Sequence, residues 1–286
     1  MEPLARRVET VIEPQSVIEG AGVKLKRSIG TSTLNYLDPF LLLDHFASTE
    51  QSDYEAGFPL HPHRGIETVT YLLRGEVKHR DTMGNSGSIC AGDIQWMTAG
   101  GGLMHEEMPQ VRPEGIDGFQ LWVNLPARLK MTRPHYQDLR ASNIPVIKRG
   151  GVVVRVITGE LDGVRGPIEG IAAEPTYVDV EMEPGSSFSQ DILRGHNAFS
   201  YIFEGEAIFG VGDDKEGRRL AQTRLAVWGD GDSVTVTTRE VPVRFLLVSG
   251  QPLNEQIARY GPFVMNTRDE IEQALRDLRN GTFVMK

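Results

Sequence analysis

Short runs of β-branched and aromatic residues, cut by glycine, aspartate, asparagine or proline, constrain this chain more than any other feature. Clear examples are Glu67–Leu73 (ETVTYLL), Gly118–Leu125 (GFQLWVNL), Val152–Thr158 (VVVRVIT), Thr176–Met182, Phe199–Phe203 (FSYIF) and Val241–Val248 (VPVRFLLV). Val, Ile, Tyr and Phe suit a pleated, half-buried surface, and the residues between the runs are those that tight turns demand. Many short strands with frequent turn signals predict an all-β sandwich or barrel. Helical spacing is scarce until the end. In Thr267–Leu278 (TRDEIEQALRDL), Ile271, Ala274, Leu275 and Leu278 recur at helical intervals behind a threonine cap and an acidic first turn, which predicts a short C-terminal helix.

A faint internal repeat bears on the number of domains. Tyr71–Val77 reads YLLRGEV and Tyr201–Ala207 reads YIFEGEA, and each precedes a Gly-Asp pair, at Gly92-Asp93 and at Gly231-Asp232. Two copies of one β domain would produce it. The expected division is 1–130 and 131–286, with Pro126–Gly150 as the connector. A chain of 286 residues can bury a core in each half.

Charge and cysteine content exclude several function classes. The formal net charge of -9 repels phosphate backbones, and Lys24, Lys26 and Arg27 are too few for a nucleic-acid footprint, so no direct nucleic-acid binding is expected. The single cysteine, Cys90, rules out an internal disulfide framework and is expected to be a small buried apolar residue on a strand. The N-terminal MEPLARRVETVIEP holds no signal-like apolar run, and no window approaches the roughly 18 apolar residues of a membrane span. A monomer in the cytoplasm, or in the nucleus of a eukaryote, is the expectation.

Histidine spacing carries the chemistry. His61 and His63 stand two apart at the start of an extended run, and alternate strand residues project to the same face. His105 and Glu107 repeat that spacing behind the turn Gly100-Gly101-Gly102. Two such pairs on neighbouring or facing strands can enclose one ion with three imidazole nitrogens and one carboxylate oxygen. A mixed nitrogen and oxygen set suits iron, nickel, copper, manganese, zinc or cobalt. An ion that prefers more ligands keeps open positions for water, substrate or dioxygen.

The segments His61–Gly65 (HPHRG), Glu67–Leu73, Gln95–Gly102 (QWMTAGGG), His105–Pro109 (HEEMP), Gln120–Leu125 (QLWVNL) and Gly261–Thr267 (GPFVMNT) closely resemble the pirin family of the cupin superfamily. The resemblance spans nearly the whole chain. It implies two tandem jelly-roll barrels, the N-terminal one holding a single non-haem Fe(II) on His61, His63, His105 and Glu107. Many cupins instead take a carboxylate four residues after the second histidine, the place of Glu67 here. The pirin pattern assigns Glu107 and leaves Glu67 beside the site to orient a ligand imidazole. The resemblance also implies quercetin 2,3-dioxygenase activity on a flavonol, a small aromatic enol, with dioxygen as co-substrate. Glu107 would then also act as the base for the substrate's acidic hydroxyl. The family offers a non-enzymatic alternative: a redox-sensitive iron protein that regulates a transcription factor or metabolic enzyme by protein binding.

Phe58, Met104, Phe119 and Trp122 are candidates for an apolar mouth. Gln120, Trp122 and Asn124 share one strand face, with Gln120 the polar candidate near the site. In the second half, aligning the Gly-Asp pairs sets Arg244 opposite His105 and Leu246 opposite Glu107. The YLLRGE alignment sets Asp191 and Leu193 opposite His61 and His63, leaving His196 alone, so that half is expected to be metal-free. His79 and His135 are expected to be ordinary polar residues. The segment Tyr260–Lys286 is expected to fold back onto the barrels.

Overall fold

The computed structural model describes residues 4–210 and 217–284. They form two compact units, one of Met1–Pro14 with Ser142–Pro252, the other of Gln15–Ala141 with Leu253–Lys286. Both units are built from antiparallel strands, and Arg268–Asn280 is the one α-helix among the described residues. The division differs from 1–130 and 131–286 because both chain ends are exchanged. Val8–Ile12 pairs with Arg224–Trp228, and Val8 and Trp228 join one apolar core. The expected connector is no simple linker either. His135–Leu139 pairs with Ile94–Thr98, and Val146–Arg149 pairs with Val152–Thr158, so the chain changes unit between two paired strands.

In the unit that carries the histidines, a seven-stranded sheet runs in the order His135–Leu139, Ile94–Thr98, Ile66–Arg74, Ile116–Asn124, Phe40–Ser48, Val23–Ile29, Gln15–Glu19. A four-stranded sheet runs Phe58–His63, Leu103–Pro109, Glu76–Asp81, Ser86–Cys90. Val23, Leu25, Phe46, Leu72, Val77, Ile89 and Ile116, drawn from both sheets, pack into one core. Alternation sends Ile89 inward, so its neighbour Cys90 is exposed, contrary to expectation.

The C-terminal segment folds onto this same unit. Arg64 and Phe263 form a parallel bridge, and the Val264 amide donates to the Arg64 carbonyl at 3.0 Å. Its helix starts as the sequence predicts: the Thr267 hydroxyl accepts from the Glu270 amide, and the Glu270 carboxylate accepts from the Thr267 amide at 2.8 Å. This reciprocal cap satisfies amides that the first helical turn leaves free. Ile271 and Ala274 face Phe263, Met265 and Phe283.

The other unit's main sheet is centred on Asn197–Phe209, flanked by Arg224–Trp228 and Val243–Gly250. Its pairing corrects the Gly-Asp alignment. Gly92-Asp93 precedes the strand that pairs beside Tyr71, whereas Gly231-Asp232 follows the strand that pairs beside Tyr201. The counterpart of Leu103–Pro109 is therefore Ser233–Thr237, which pairs with Ser187–Asp191 as Leu103–Pro109 pairs with Phe58–His63. Ser and Thr alternate with Val there. Arg244 sits on a different strand, with its guanidinium on Asp179 at 2.7 Å.

Candidate metal centre

His61 and His63 lie on Phe58–His63, and His105 and Glu107 lie on the adjacent Leu103–Pro109. The register sets His105 opposite His61 and Leu103 opposite His63; an irregularity after His105 then brings Glu107 opposite Phe58. Leu103, His105 and Glu107 are buried while Met104, Glu106 and Met108 are only half-buried, so strand alternation selects Glu107 over Glu106 for the interior.

Three imidazoles converge. Ring centroids are 4.5 Å apart for His61 and His105, 4.8 Å for His61 and His63, and 5.1 Å for His63 and His105. One ligand nitrogen from each lies within 4.8 Å of the others. The Nε2 atoms of His61 and His63 are 3.0 Å apart. That is the separation of neighbouring ligands at right angles around an ion with bonds of about 2.1 Å. Nδ1 of His61 lies 3.0 Å from the Pro59 carbonyl. A carbonyl only accepts, so Nδ1 carries the hydrogen and Nε2 keeps its lone pair. His105 is 1% exposed, and neither of its ring nitrogens has a hydrogen-bond partner. Leaving such atoms unpaired is costly, and a cation at the convergence point would relieve it.

Electrostatics favour the form that binds metals. Burial pushes His105 down to about 4, and it holds His63 well below the usual histidine range, with His61 and His105 adding to the effect. His61 is lowered by burial and then by His105. Three neutral imidazoles result at neutral pH, the state in which the ring nitrogen donates to a metal. Burial raises Glu107, opposed by His61 and by the Thr70 hydroxyl. Thr70 Oγ1 is 3.0 Å from Glu107 Oε1 and 2.7 Å from Gln120 Oε1. The histidines alone close to metal-ligand spacing; Glu107 lines a cavity together with His61 and His63.

That cavity measures about 560 Å³. Its apolar lining includes Val23, Leu25, Phe46, Phe58, Ile116 and Trp122, and Trp122 meets His63 edge-on at 5.1 Å between centroids. A polar end is formed by Glu19, Arg27, Asp44 and Arg259. Arg27 grips Asp44 with two hydrogen bonds of 2.7 Å and Glu19 with one of 2.7 Å. Burial nevertheless pushes Asp44 up to about 6, against the opposing pull of Arg27.

Of the residues expected near the site, Phe58, Gln120 and Trp122 line the cavity, whereas Glu67, Met104, Phe119 and Asn124 are absent from its lining. Glu67 accepts from Thr98 at 2.8 Å, so its visible partner is a threonine and not a ligand imidazole. Met104 packs against the C-terminal segment, Phe119 stacks on His45 at 4.6 Å, and Asn124 accepts from Lys130. Tyr54, Arg27, Asp44 and Arg259 escaped the sequence reading. Asp44 left a trace there, a charge ending the apolar run Phe40–Leu43. Arg259 left none, because it reaches the cavity from the far end of the chain.

The family model described as "Pirin" matches residues 22–123, and that described as "Pirin C-terminal cupin domain" matches residues 177–284. The chain belongs to the pirin family. A pirin-like protein of Caulobacter vibrioides is 43% identical over 97% of this chain and 99% of its own length. The crystal structure of a quercetin 2,3-dioxygenase from Acinetobacter baumannii aligns with a TM-score of 0.86 at 35% identity, over 98% of both chains. A bacterial pirin from Escherichia coli, solved in complex with nickel(II), aligns with a TM-score of 0.63 at 17% identity, over 85% of this chain and 99% of its own. These neighbours establish the cupin fold for this pirin-family chain. No helix among its described residues is long and apolar enough to cross a membrane.

Proposed function

We propose that this chain is a metal-dependent dioxygenase of quercetin 2,3-dioxygenase type, with His61, His63, His105 and Glu107 holding one Fe(II). The observation that carries the reading is the convergence of three imidazoles, those of His63 and His105 buried and that of His61 half-buried, beside a largely apolar cavity that His61 and His63 line. The likeness to the Acinetobacter dioxygenase supports the reaction class. Nickel, copper, manganese, zinc and cobalt suit the same donors, and the metal in the cell is set by supply as well as by affinity. When bound, the ion supplies Lewis acidity and an electron path to dioxygen.

The chain's own residues do the rest. Trp122 and Phe58 offer flat apolar surface to an aromatic ring, and the cavity walls exclude water from it. Thr70 lies 3.0 Å from Glu107 Oε1 and would orient the carboxylate that holds the ion and accepts the proton of the substrate's enolic hydroxyl.

Anaerobic loading with Fe(II), followed by oxygen and quercetin, tests the reading. Loss of the flavonol absorbance in the wild type, and not in His105→Ala, is the expected result. Absence of bleaching with every first-row metal, together with redox-dependent capture of a protein partner, would replace it with the non-enzymatic alternative.

A further inference from the structure

The cavity holds two polar side chains for which neither metal binding nor proton transfer has a use. Arg259 lies at the polar end, its guanidinium 5.0 Å above the Trp122 ring. Its neighbours Asp44 and Glu19 are both held by Arg27. Arg259 itself donates only to backbone carbonyls, to Leu41 through Nη1 at 3.2 Å and to Gly261 through Nε at 3.4 Å. Among the described residues no carboxylate reaches it within ion-pair distance, and Nη2 makes no hydrogen bond. The second group is Tyr54. It lines the cavity, is 2% exposed, and its buried hydroxyl has no hydrogen-bond partner.

The unpaired Tyr54 hydroxyl is costly for an empty pocket, whereas Arg259 is an exposed residue whose guanidinium stands ready at the polar end; both are useful for an occupied one. A guanidinium partly withdrawn from water gains from an anion, and its fork matches the two oxygens of a carboxylate or of an enolate with its neighbouring carbonyl. A buried hydroxyl without a partner rewards a ligand that satisfies it over one that leaves it unpaired, which makes it a specificity device. Trp122 joins the two halves of the site, since its ring lies under Arg259 and meets His63 edge-on.

We propose that Arg259 and Tyr54 select the ligand: a flat aromatic molecule bearing an anionic oxygen for Arg259 and a neutral hydroxyl or carbonyl for Tyr54. The inference deepens the dioxygenase reading by naming a substrate class for that site, acidic aromatics in preference to neutral ones. It assigns recognition to two residues that hold no metal.

Anaerobic calorimetry on the Fe(II)-loaded protein tests it with 2-naphthoate, 2-naphthamide and 6-hydroxy-2-naphthoate. The carboxylate is expected to bind about 10-fold or more tightly than the amide. Arg259→Gln is expected to close that gap and Arg259→Lys to keep part of it, each with an unchanged melting temperature. Tyr54→Phe is expected to weaken 6-hydroxy-2-naphthoate about 5-fold while leaving 2-naphthoate unaffected. Absence of 2-naphthoate binding, equal affinity for acid and amide, or a gap that survives Arg259→Gln overturns the anion selection. Unchanged affinity of Tyr54→Phe for the hydroxylated acid overturns the role of Tyr54. Quercetin bleaching is scored separately. A charge-dependent gap without bleaching removes the dioxygenase reading alone, and bleaching without a gap removes this inference alone.

Discussion

The guanidinium of Arg64, one residue beyond His63, donates to Asp277 at 2.7 Å and to the Phe283 carbonyl at 3.1 Å. It also lies 4.4 Å above the Phe283 ring. The strand that supplies two imidazoles is thereby tied to the C-terminal helix and the residues after it. Arg64 is buried, so removing Asp277 leaves a charge short of its partner. Asp277→Ala is expected to cost about 1–3 kcal/mol by denaturant titration. Deleting Tyr260–Lys286 is expected to cost far more, because it uncovers the core around Phe263, Met265 and Phe283. A truncated protein with an unaltered melting temperature would show the segment to be dispensable.

Gly65 makes that docking sterically feasible. Its φ is +80°, and a Cβ there would stand 1.9 Å from the Val264 carbonyl oxygen. The same Val264 oxygen, with the Gly65 carbonyl and Asn124, accepts from the buried Lys130 ammonium. Gly65→Ala is therefore expected to destabilise by about 2 kcal/mol or more and to lower metal retention, read by thermal melting and metal analysis. Gly84 is the control. Its φ is +96° with nothing within 4 Å of a built Cβ, so Gly84→Ala is expected to cost only the backbone penalty of about 1 kcal/mol.

The sequence showed what repeats locally and hid what depends on long-range pairing. Val152–Thr158 and Thr176–Met182 are strands with the expected ends, and the capped helix begins after Thr267, because side-chain alternation and helix caps are written within a few residues. Strand parity, also local, made it legible that His61 shares a face with His63 and His105 with Glu107; that the two strands pair is a long-range fact, which only the family resemblance implied. The return of the C-terminal segment was implied by the family resemblance, but the crossing of the N-terminal strand was not legible, because Val8–Ile12 carries no mark of its partner Arg224–Trp228. Nor was the polar end of the cavity. Arg27 and Asp44 face each other across strands, and Arg259 joins them from over two hundred residues away.

Asp44 should give the unit a pH signature. Burial pushes this carboxyl above its ordinary range to about 6. The folded state then holds a proton that the unfolded state releases at lower pH. Its contribution to stability is complete below the unfolded value near 3.8 and is lost as pH rises through about 6. Asp44→Asn mimics the protonated form. The stability difference between variant and wild type is expected to drift in the variant's favour between about pH 4 and 6, by at most about 1.4 kcal/mol per unit. A difference that stays flat across that interval would show Arg27 to hold Asp44 ionised throughout.

Glu107, and not Glu67, is expected to complete the proposed centre. Glu107 lines the cavity with His61 and His63 and lies beside Thr70, whereas Glu67 is bound to Thr98 and does not line that cavity. Replacing Glu107 with alanine is expected to reduce Fe(II) occupancy by roughly 10-fold or more, and replacing Glu67 to leave it within about 2-fold of the wild type. The reverse pattern would move the carboxylate ligand to Glu67. Chelation supplies an independent readout, since an ion bound only by the folded state stabilises it in proportion to the logarithm of its excess over Kd. A chelator is expected to lower the melting temperature of the loaded wild type and of Glu67→Ala, but not that of His105→Ala. In that last variant the unpaired imidazole is gone, so it forfeits the metal without keeping the buried polar group that the metal satisfies. A wild-type melting temperature indifferent to the chelator would reject His61, His63 and His105 as a binding site.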